Sequence, residues 1–203
     1  MPHCALQQYV VSSIARWCPL MTDLSSYIAA HFEGSLILDV AKKDKLVSWT
    51  SSFIASSGGK IWTHCYHANQ GDDAVGFRAS CLNKSPTVTV AKESSRNGIY
   101  GGYTSLPWTN TAFSYITKTD PTMFVFRLTD RVGGTTDDFK KCSADLMYDY
   151  YGYGPTLGTT INGKFWLYGS SVCLGDWDGG GCAIQDNAFN CLSFHRAEMY
   201  YLA

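Results

Sequence analysis

Charged residues are scarce in this sequence. Only 16% of its 203 residues are Asp, Glu, Lys or Arg, and the formal net charge is −1. The densest basic patch, residues 42–45, contains three lysines interrupted by Asp44. Because contacts between basic side chains and phosphates supply most of the affinity for nucleic acids, these absences argue against DNA or RNA as the main partner.

Long apolar runs are missing as well. No stretch approaches the roughly 20 apolar residues of a membrane-spanning helix, so we expect no membrane span. Residues 1–20 contain Val10 and Val11, but polar residues on both sides interrupt any apolar core of a secretory signal. We therefore expect a cytoplasmic protein whose eight cysteines are mostly reduced. One alternative stays open: a secreted protein stapled by disulfides, whose Tyr- and Trp-rich loops bind a glycan or a small aromatic ligand.

The first 60 residues have helical signals. Residues 5–17 carry apolar side chains at helical spacing, and a second helix is predicted from residue 24 to Phe32, with Gly34 ending it. Asp39 is the predicted N-cap of a third helix that ends near Ser57. We divide the chain into an N-terminal helical extension, residues 1–34, and a domain over residues 35–203.

Beyond residue 60 the pattern becomes that of short strands separated by turns. Strands are predicted over residues 86–90, 123–128, 164–168 and 198–202. Asn97-Gly98 is a typical hairpin turn, residues 73–81 favour a short helix, and residues 169–190 are predicted to be a long loop. Many short strands at this spacing indicate a sandwich or a curled sheet.

Several short motifs from Ser35 to the C-terminus resemble those of the TLDc domain family in order and spacing. They are Ser35-Leu36-Ile37-Leu38, Phe77 with Cys81, Ser85-Pro86-Thr87, Gly101-Gly102-Tyr103-Thr104 with Trp108, Asp120 with Phe124-Val125-Phe126, Tyr153-Gly154-Pro155-Thr156, and Phe194 with Glu198. The resemblance implies an α+β fold: a two-sheet antiparallel β-sandwich with flanking helices.

The resemblance also implies a role. A TLDc-like chain is expected to be a non-catalytic protein-binding module linked to protection against oxidative stress, with the vacuolar proton pump as the most concrete partner. The sequence departs from the family pattern at three positions: Arg78 replaces the usual His, Leu82 the usual acid, and Tyr200 a second acid of the closing strand.

Six residues of these motifs are our candidate binding residues. Aromatic anchors dominate protein interfaces, so one interpretation is a surface patch at Tyr103 and Trp108. The other is structural, because glycines allow a strand to bend and two backbones to approach. Glu198, inside an apolar strand, is either a hydrogen-bonded structural carboxylate or an acid/base group. The full set of candidates is Gly101, Gly102, Tyr103, Trp108, Tyr153 and Glu198.

A reactive centre is the competing hypothesis. Cys81 paired with His64 or His67 is a formal Cys/His arrangement for redox or hydrolytic catalysis. For a metal site, strict strand alternation puts Cys65 and His67 on one face and His64 on the other. A further ligand would have to come from a distant residue such as Cys81 or His195, so a partly buried strand with polar edge groups is the simpler interpretation. We therefore expect no catalytic residue, no metal and no cofactor.

Two weaker signals concern oxidants and cations. Lys140-Lys141 beside Cys142 is the most electropositive setting of a cysteine, as thiolate scavenging of peroxide requires. Residues 176–186 carry several acids and glycines but lack the spacing of an EF-hand, so a solvated loop is the simpler interpretation.

Overall fold

The computed structural model describes residues 24–95, 97–109, 115–129, 140–144, 146–150, 152–158, 165–174 and 190–203. The predicted helix over residues 5–17 and the acidic glycine-rich segment 176–186 lie outside these residues. No helix in the described ranges has the length and apolar character needed to cross a membrane.

Helices dominate the first part of the described chain. They span Leu24–Ala30 (α1), Val40–Trp49 (α2), Ser51–Ser56 (α3) and Phe77–Cys81 (α4), with a 3-10 turn at Ala74–Gly76. Asp39 caps α2 as predicted, its side chain accepting a hydrogen bond from the Lys42 amide. The predicted third helix is divided at Thr50, whose hydroxyl donates to the Leu46 carbonyl and accepts the indole N–H of Trp62.

Strands form most of the remainder. They span Trp62–Asn69 (β1), Thr87–Glu93 (β2), Ile99–Thr104 (β3), Tyr115–Thr119 (β4), Phe124–Thr129 (β5), Lys140–Ser143 (β6), Leu146–Tyr150 (β7), Thr156–Gly158 (β8), Phe165–Tyr168 (β9), Ser171–Leu174 (β10) and Asn190–Leu202 (β11). All four predicted strands are present, and the Asn97-Gly98 turn joins β2 to β3. The predicted long loop over residues 169–190 is wrong in part, because it contains β10.

The strands form two antiparallel sheets that share β11. One sheet has the order β1-β11-β2-β3-β5-β6, and the other has the order β4-β7-β8-β9-β10-β11. The first residues of β11 pair with β10, whereas the stretch from Phe194 onward lies between β2 and β1. The predicted two-sheet antiparallel sandwich with flanking helices is confirmed.

Two hydrophobic cores lie on opposite faces of the first sheet. The core between the sheets contains Val125 and Met199 from the first sheet and Leu157 and Phe165 from the second. The core between the first sheet and the helices contains Leu46 of α2, and its members include Trp62, Tyr103 and Tyr200. Alternate residues of β2, β3 and β5 therefore enter different cores, which explains why these strands are buried on both faces.

Among the described residues, two disulfides join cysteines that lie 16 and 18 positions apart in sequence. Cys65 of β1 is bonded to Cys81 of α4, with Cα atoms 5.5 Å apart, and Cys173 of β10 is bonded to Cys191 directly opposite it on β11. The expectation of mostly reduced thiols is wrong for these four cysteines. The sequence could not indicate the pairing, because strand register and the docking of α4 bring the partners together.

Glycine at positions 101 and 102 is required by close packing. A Cβ on Gly102 would collide with the side chain of Leu157 from the opposite sheet. A Cβ on Gly101 would collide with the backbone carbonyl of Thr89 and the ring of Phe126. The structural interpretation of these glycines is therefore the one that the fold supports.

We predict that Gly101→Ala destabilises the fold more than Gly102→Ala. The Leu157 side chain can shift, at a cost of about 1–3 kcal/mol of unfolding free energy, whereas the backbone of Thr89 in a buried sheet cannot yield as easily. Chemical denaturation of both variants measures the difference. Equal destabilisation, or a smaller effect at Gly101, would show that the sheet adapts to the added methyl group.

Candidate functional site

The aromatic candidates Tyr103 and Trp108 are fully buried, one in each core. The ring of Tyr103 stacks on those of Phe53 and Phe124, while the Trp108 indole N–H donates to the Thr87 hydroxyl at 3.1 Å. The hypothesis of a surface patch formed by these two side chains is wrong, since neither reaches the surface.

Tyr153 is the candidate aromatic residue nearest the surface. It is half-buried, and its ring makes edge-on contacts with Tyr150 at 4.8 Å and with Tyr168 at 5.2 Å between centroids. Tyr168 exposes 54% of its surface. We call Tyr150, Tyr153 and Tyr168 the tyrosine cluster.

Glu198 is the centre of a buried polar network on the helical side of the first sheet. It is 1% exposed, and its carboxylate accepts hydrogen bonds from the Ser35 hydroxyl at 2.6 Å and the Leu36 amide at 2.9 Å. Arg196 Nε donates at 2.7 Å and the Tyr200 hydroxyl at 2.6 Å. We call Ser35, Leu36, Arg196, Glu198 and Tyr200 the Glu198 site.

These hydrogen bonds determine the charge of Glu198. Burial alone would raise the pKa of its carboxyl, but the bonds from Ser35, Tyr200, Leu36 and Arg196 outweigh burial and lower the pKa below its ordinary value. An ionised carboxylate offers about four acceptor positions, and four donors occupy them here. Glu198 is therefore a charged structural carboxylate, with no free acceptor position for taking a proton from a substrate.

The Glu198 site holds the segment that connects α1 to α2. The Ser35 hydroxyl, besides donating to Glu198, accepts the amides of Ile37 and Leu38 at 3.2 and 2.9 Å. Ile37 and Leu38 are buried, whereas Leu36 exposes 73% of its surface. Val40, at the start of α2, exposes 63%. The network thus fixes the backbone of a segment that presents two large apolar side chains to solvent.

Tyr200, one of the departures from the family pattern, belongs to this network. Burial, and then the nearby charge of Glu198, raises the pKa of its phenol well above the ordinary range. The hydroxyl therefore remains protonated and available as a donor to Glu198. In place of a second acid, which would repel Glu198, the chain has a neutral donor.

Arg78, a second departure, is also explained by a buried carboxylate. Its guanidinium donates to Asp149 of β7 at 2.9 Å and to the Tyr150 carbonyl at 2.7 Å. Asp149 is fully buried and also accepts from Lys118 at 3.0 Å and from the Thr109 amide. Arg78 therefore joins α4 to β7 of the second sheet through two guanidinium nitrogens with separate acceptors, an arrangement that a histidine ring does not reproduce. Leu82, the third departure, follows α4 and is half-buried.

The proposed Cys/His centre is not assembled. Cys81 is fully buried and its sulfur is bonded to Cys65, so it holds no thiol for nucleophilic attack. A β-bulge between His64 and Tyr66 makes Cys65 an extra residue and reverses the expected alternation. His64 and His67 consequently share a face, while Cys65 packs towards the core between the sheets. In the described ranges, no three His, Cys, Asp or Glu side chains cluster closely enough to hold a metal.

The sequence did not reveal Ser35, Leu36 or Arg196 as parts of the Glu198 site. Ser35 and Glu198 are 163 residues apart, and only the pairing of β11 within the sheet brings them together. The one sequence signal was the carboxylate itself, placed in an apolar strand where an acid needs partners. That signal indicates that Glu198 is a structural carboxylate, but it does not indicate which groups donate to it.

We predict that Glu198→Gln lowers the unfolding free energy by about 3 kcal/mol at pH 7. The side-chain NH2 group of glutamine would face hydrogen-bond donors at a position where a carboxylate oxygen accepts from them. The difference from the wild-type protein should shrink on acidification. A carboxyl whose pKa is lowered by folding stabilises the fold above its unfolded pKa and loses that contribution as the pH falls through the folded pKa.

Denaturation of both proteins at several pH values between about 7 and 3 tests this linkage. Glu33→Gln is the matched control, since Glu33 is an exposed acid on the same segment of the chain. A pH-independent difference between the wild-type protein and Glu198→Gln would mean that Glu198 is not ionised in the folded state.

Comparison with known proteins agrees with the motifs and the fold. No curated protein matches the chain. The family model of the TLDc domain matches residues 32–195, which are most of the chain and include the segment held by Glu198, most of both cores and residues 190–195 of β11. The chain therefore belongs to the TLDc domain family.

Proposed function

We propose that this chain is a non-catalytic protein-binding module and that the segment from Ser35 to Val40 is part of its contact surface. One observation carries the proposal: Leu36 and Val40 expose 73% and 63% of their surfaces on a segment whose backbone is held by Glu198. Its supports are the family, the buried and bonded state of Cys81 and the fully engaged carboxylate of Glu198.

The restraint on this segment matters for affinity. Isolated exposed apolar residues are common on protein surfaces and need no explanation. Ordering a mobile loop on binding costs free energy, however, and a segment that is already held avoids that cost. Two apolar side chains on a held backbone are therefore better suited to docking than the same side chains on a free loop.

The family resemblance supplies the finer part of the proposal. We propose that the module contributes to protection against oxidative stress and that its partner is a subunit of the vacuolar proton pump, met in the cytoplasm. The low overall charge of the chain is compatible with a partner surface recognised by apolar contacts and hydrogen bonds. The division at residue 35 is part of this proposal, with residues 1–34 as an extension outside the binding module.

We predict that the double substitution Leu36→Ser and Val40→Ser weakens binding to purified peripheral pump subunits at least about tenfold, since two desolvated apolar side chains contribute more than 1.4 kcal/mol together. Surface-immobilised binding measurements with the full chain provide the dissociation constant. The unfolding free energy should change little, because both side chains already lie in solvent.

Ile116→Ser is the control, because Ile116 is also an exposed apolar residue but lies on β4 of the other sheet. Binding of the double variant at the wild-type affinity would remove this segment from the contact surface. Absence of binding by the wild-type chain would remove the pump as the partner and leave the module without that role.

The disulfides favour a second candidate, a secreted binding module. Disulfides persist in oxidising compartments and are rare in the cytosol. The tyrosine cluster, with Tyr168 more than half exposed, then offers aromatic faces on which sugar rings of a glycan can stack.

Thiol trapping in intact cells separates the two candidates. If Cys65, Cys81, Cys173 and Cys191 resist alkylation until a reductant is added, the chain resides in an oxidising compartment and the secreted candidate is favoured. If all four are alkylated at once, the compartment is reducing and the secreted candidate is excluded.

A further inference from the structure

His64 and His67 lie side by side on the exposed edge of the first sheet. Both are exposed, their ring centroids are 5.6 Å apart, and the ring planes differ by 22°. They share a face only because the bulge at Cys65 adds one residue between them. The His64 ring also makes an edge-type contact with the Tyr200 ring, at 5.3 Å between centroids, which places the pair next to the Glu198 site.

The spacing of the two rings matches that of two imidazoles bound to one ion. A histidine nitrogen lies about 2 Å from a bound zinc ion, so two rings that share a tetrahedral ion have centroids roughly 5 Å apart. The observed spacing exceeds this by only about half an ångström. The rings now face each other, and rotation about their exposed side-chain bonds would aim one nitrogen of each at a common point.

Among the described residues, the neighbouring groups add no third ligand to these two side chains. Glu198 is opposite His67 in the strand register, but its carboxylate already accepts four hydrogen bonds. Cys65 lies between the histidines in sequence, but its sulfur is bonded to Cys81. Imidazole is a preferred ligand of Zn²⁺, Cu²⁺ and Ni²⁺, whereas Mg²⁺ and Ca²⁺ prefer oxygen.

We propose that His64 and His67 form a two-imidazole site for a divalent transition ion of the zinc and copper class. Water fills the remaining coordination positions, so the ion stays open to a further ligand. The site is independent of the proposed protein-binding function, because it uses neither Leu36 nor Val40.

Because a histidine binds a metal ion only through an unprotonated ring nitrogen, binding should weaken as the pH falls from 7 to about 5.

The test is calorimetric titration of the full chain with Zn²⁺ at pH 7. We expect saturation at one ion per chain at this site, and we expect His64→Asn and His67→Asn each to weaken binding at least about tenfold, because a single imidazole loses the effective concentration of the second. His195→Asn is the matched control, since His195 is an exposed histidine on β11 and should leave the affinity unchanged. Thermal unfolding of the three variants without metal should coincide with that of the wild-type protein.

A second readout identifies the ligands directly. With Cu²⁺, the electron paramagnetic resonance spectrum should show coupling to two imidazole nitrogens in the wild-type chain and to one in each single variant. Affinities of His64→Asn and His67→Asn equal to that of the wild-type protein would overturn the proposal. Loss of binding in His195→Asn alone, or no saturable binding in the wild-type chain, would overturn it as well.

Discussion

In this TLDc domain the ionised carboxylate of Glu198 joins the first sheet to the exposed segment between α1 and α2. Glu198 lies on the long strand β11, which belongs to both sheets, and its four donors come from the same strand and from the segment between α1 and α2. An ion buried this deeply requires partners at every acceptor position, because removing it from water is costly. Those partners fix the backbone at Ser35 and Leu36. The need to pair the buried carboxylate thereby fixes the segment from which Leu36 and Val40 extend into solvent.

The two cores make this arrangement possible. The first sheet is covered on one face by the second sheet and on the other by helices, so its strands carry buried residues on both faces. Gly101 and Gly102 allow the neighbouring strands and the opposite sheet to approach closely at the centre of this packing. The buried carboxylates of Glu198 in the first sheet and of Asp149 in the second each have several donors, as a buried charge requires. Both departures from the family pattern that lie near these carboxylates supply a donor.

Local patterns predicted much of the fold and little of the site. Strand alternation, the Asp39 cap and the Asn97-Gly98 turn depend on neighbouring residues, and the structure contains them. The motif resemblance added the two-sheet architecture. The bulge at Cys65, the division of the helix at Thr50 and the two disulfides depend on contacts between distant residues. The same limit explains why the motif left a surface patch at Tyr103 and Trp108 open beside the structural interpretation, since their burial follows from the packing of whole sheets.

Amide hydrogen exchange at Leu36 measures most directly whether Glu198 holds the Ser35–Leu36 backbone. The Leu36 side chain is exposed, yet its amide donates to Glu198 at 2.9 Å. We predict exchange at least about a hundredfold slower than in an unstructured chain, with that protection lost in Glu198→Gln while the amides of α2 stay protected. Exchange at the unprotected rate in the wild-type protein would contradict the account.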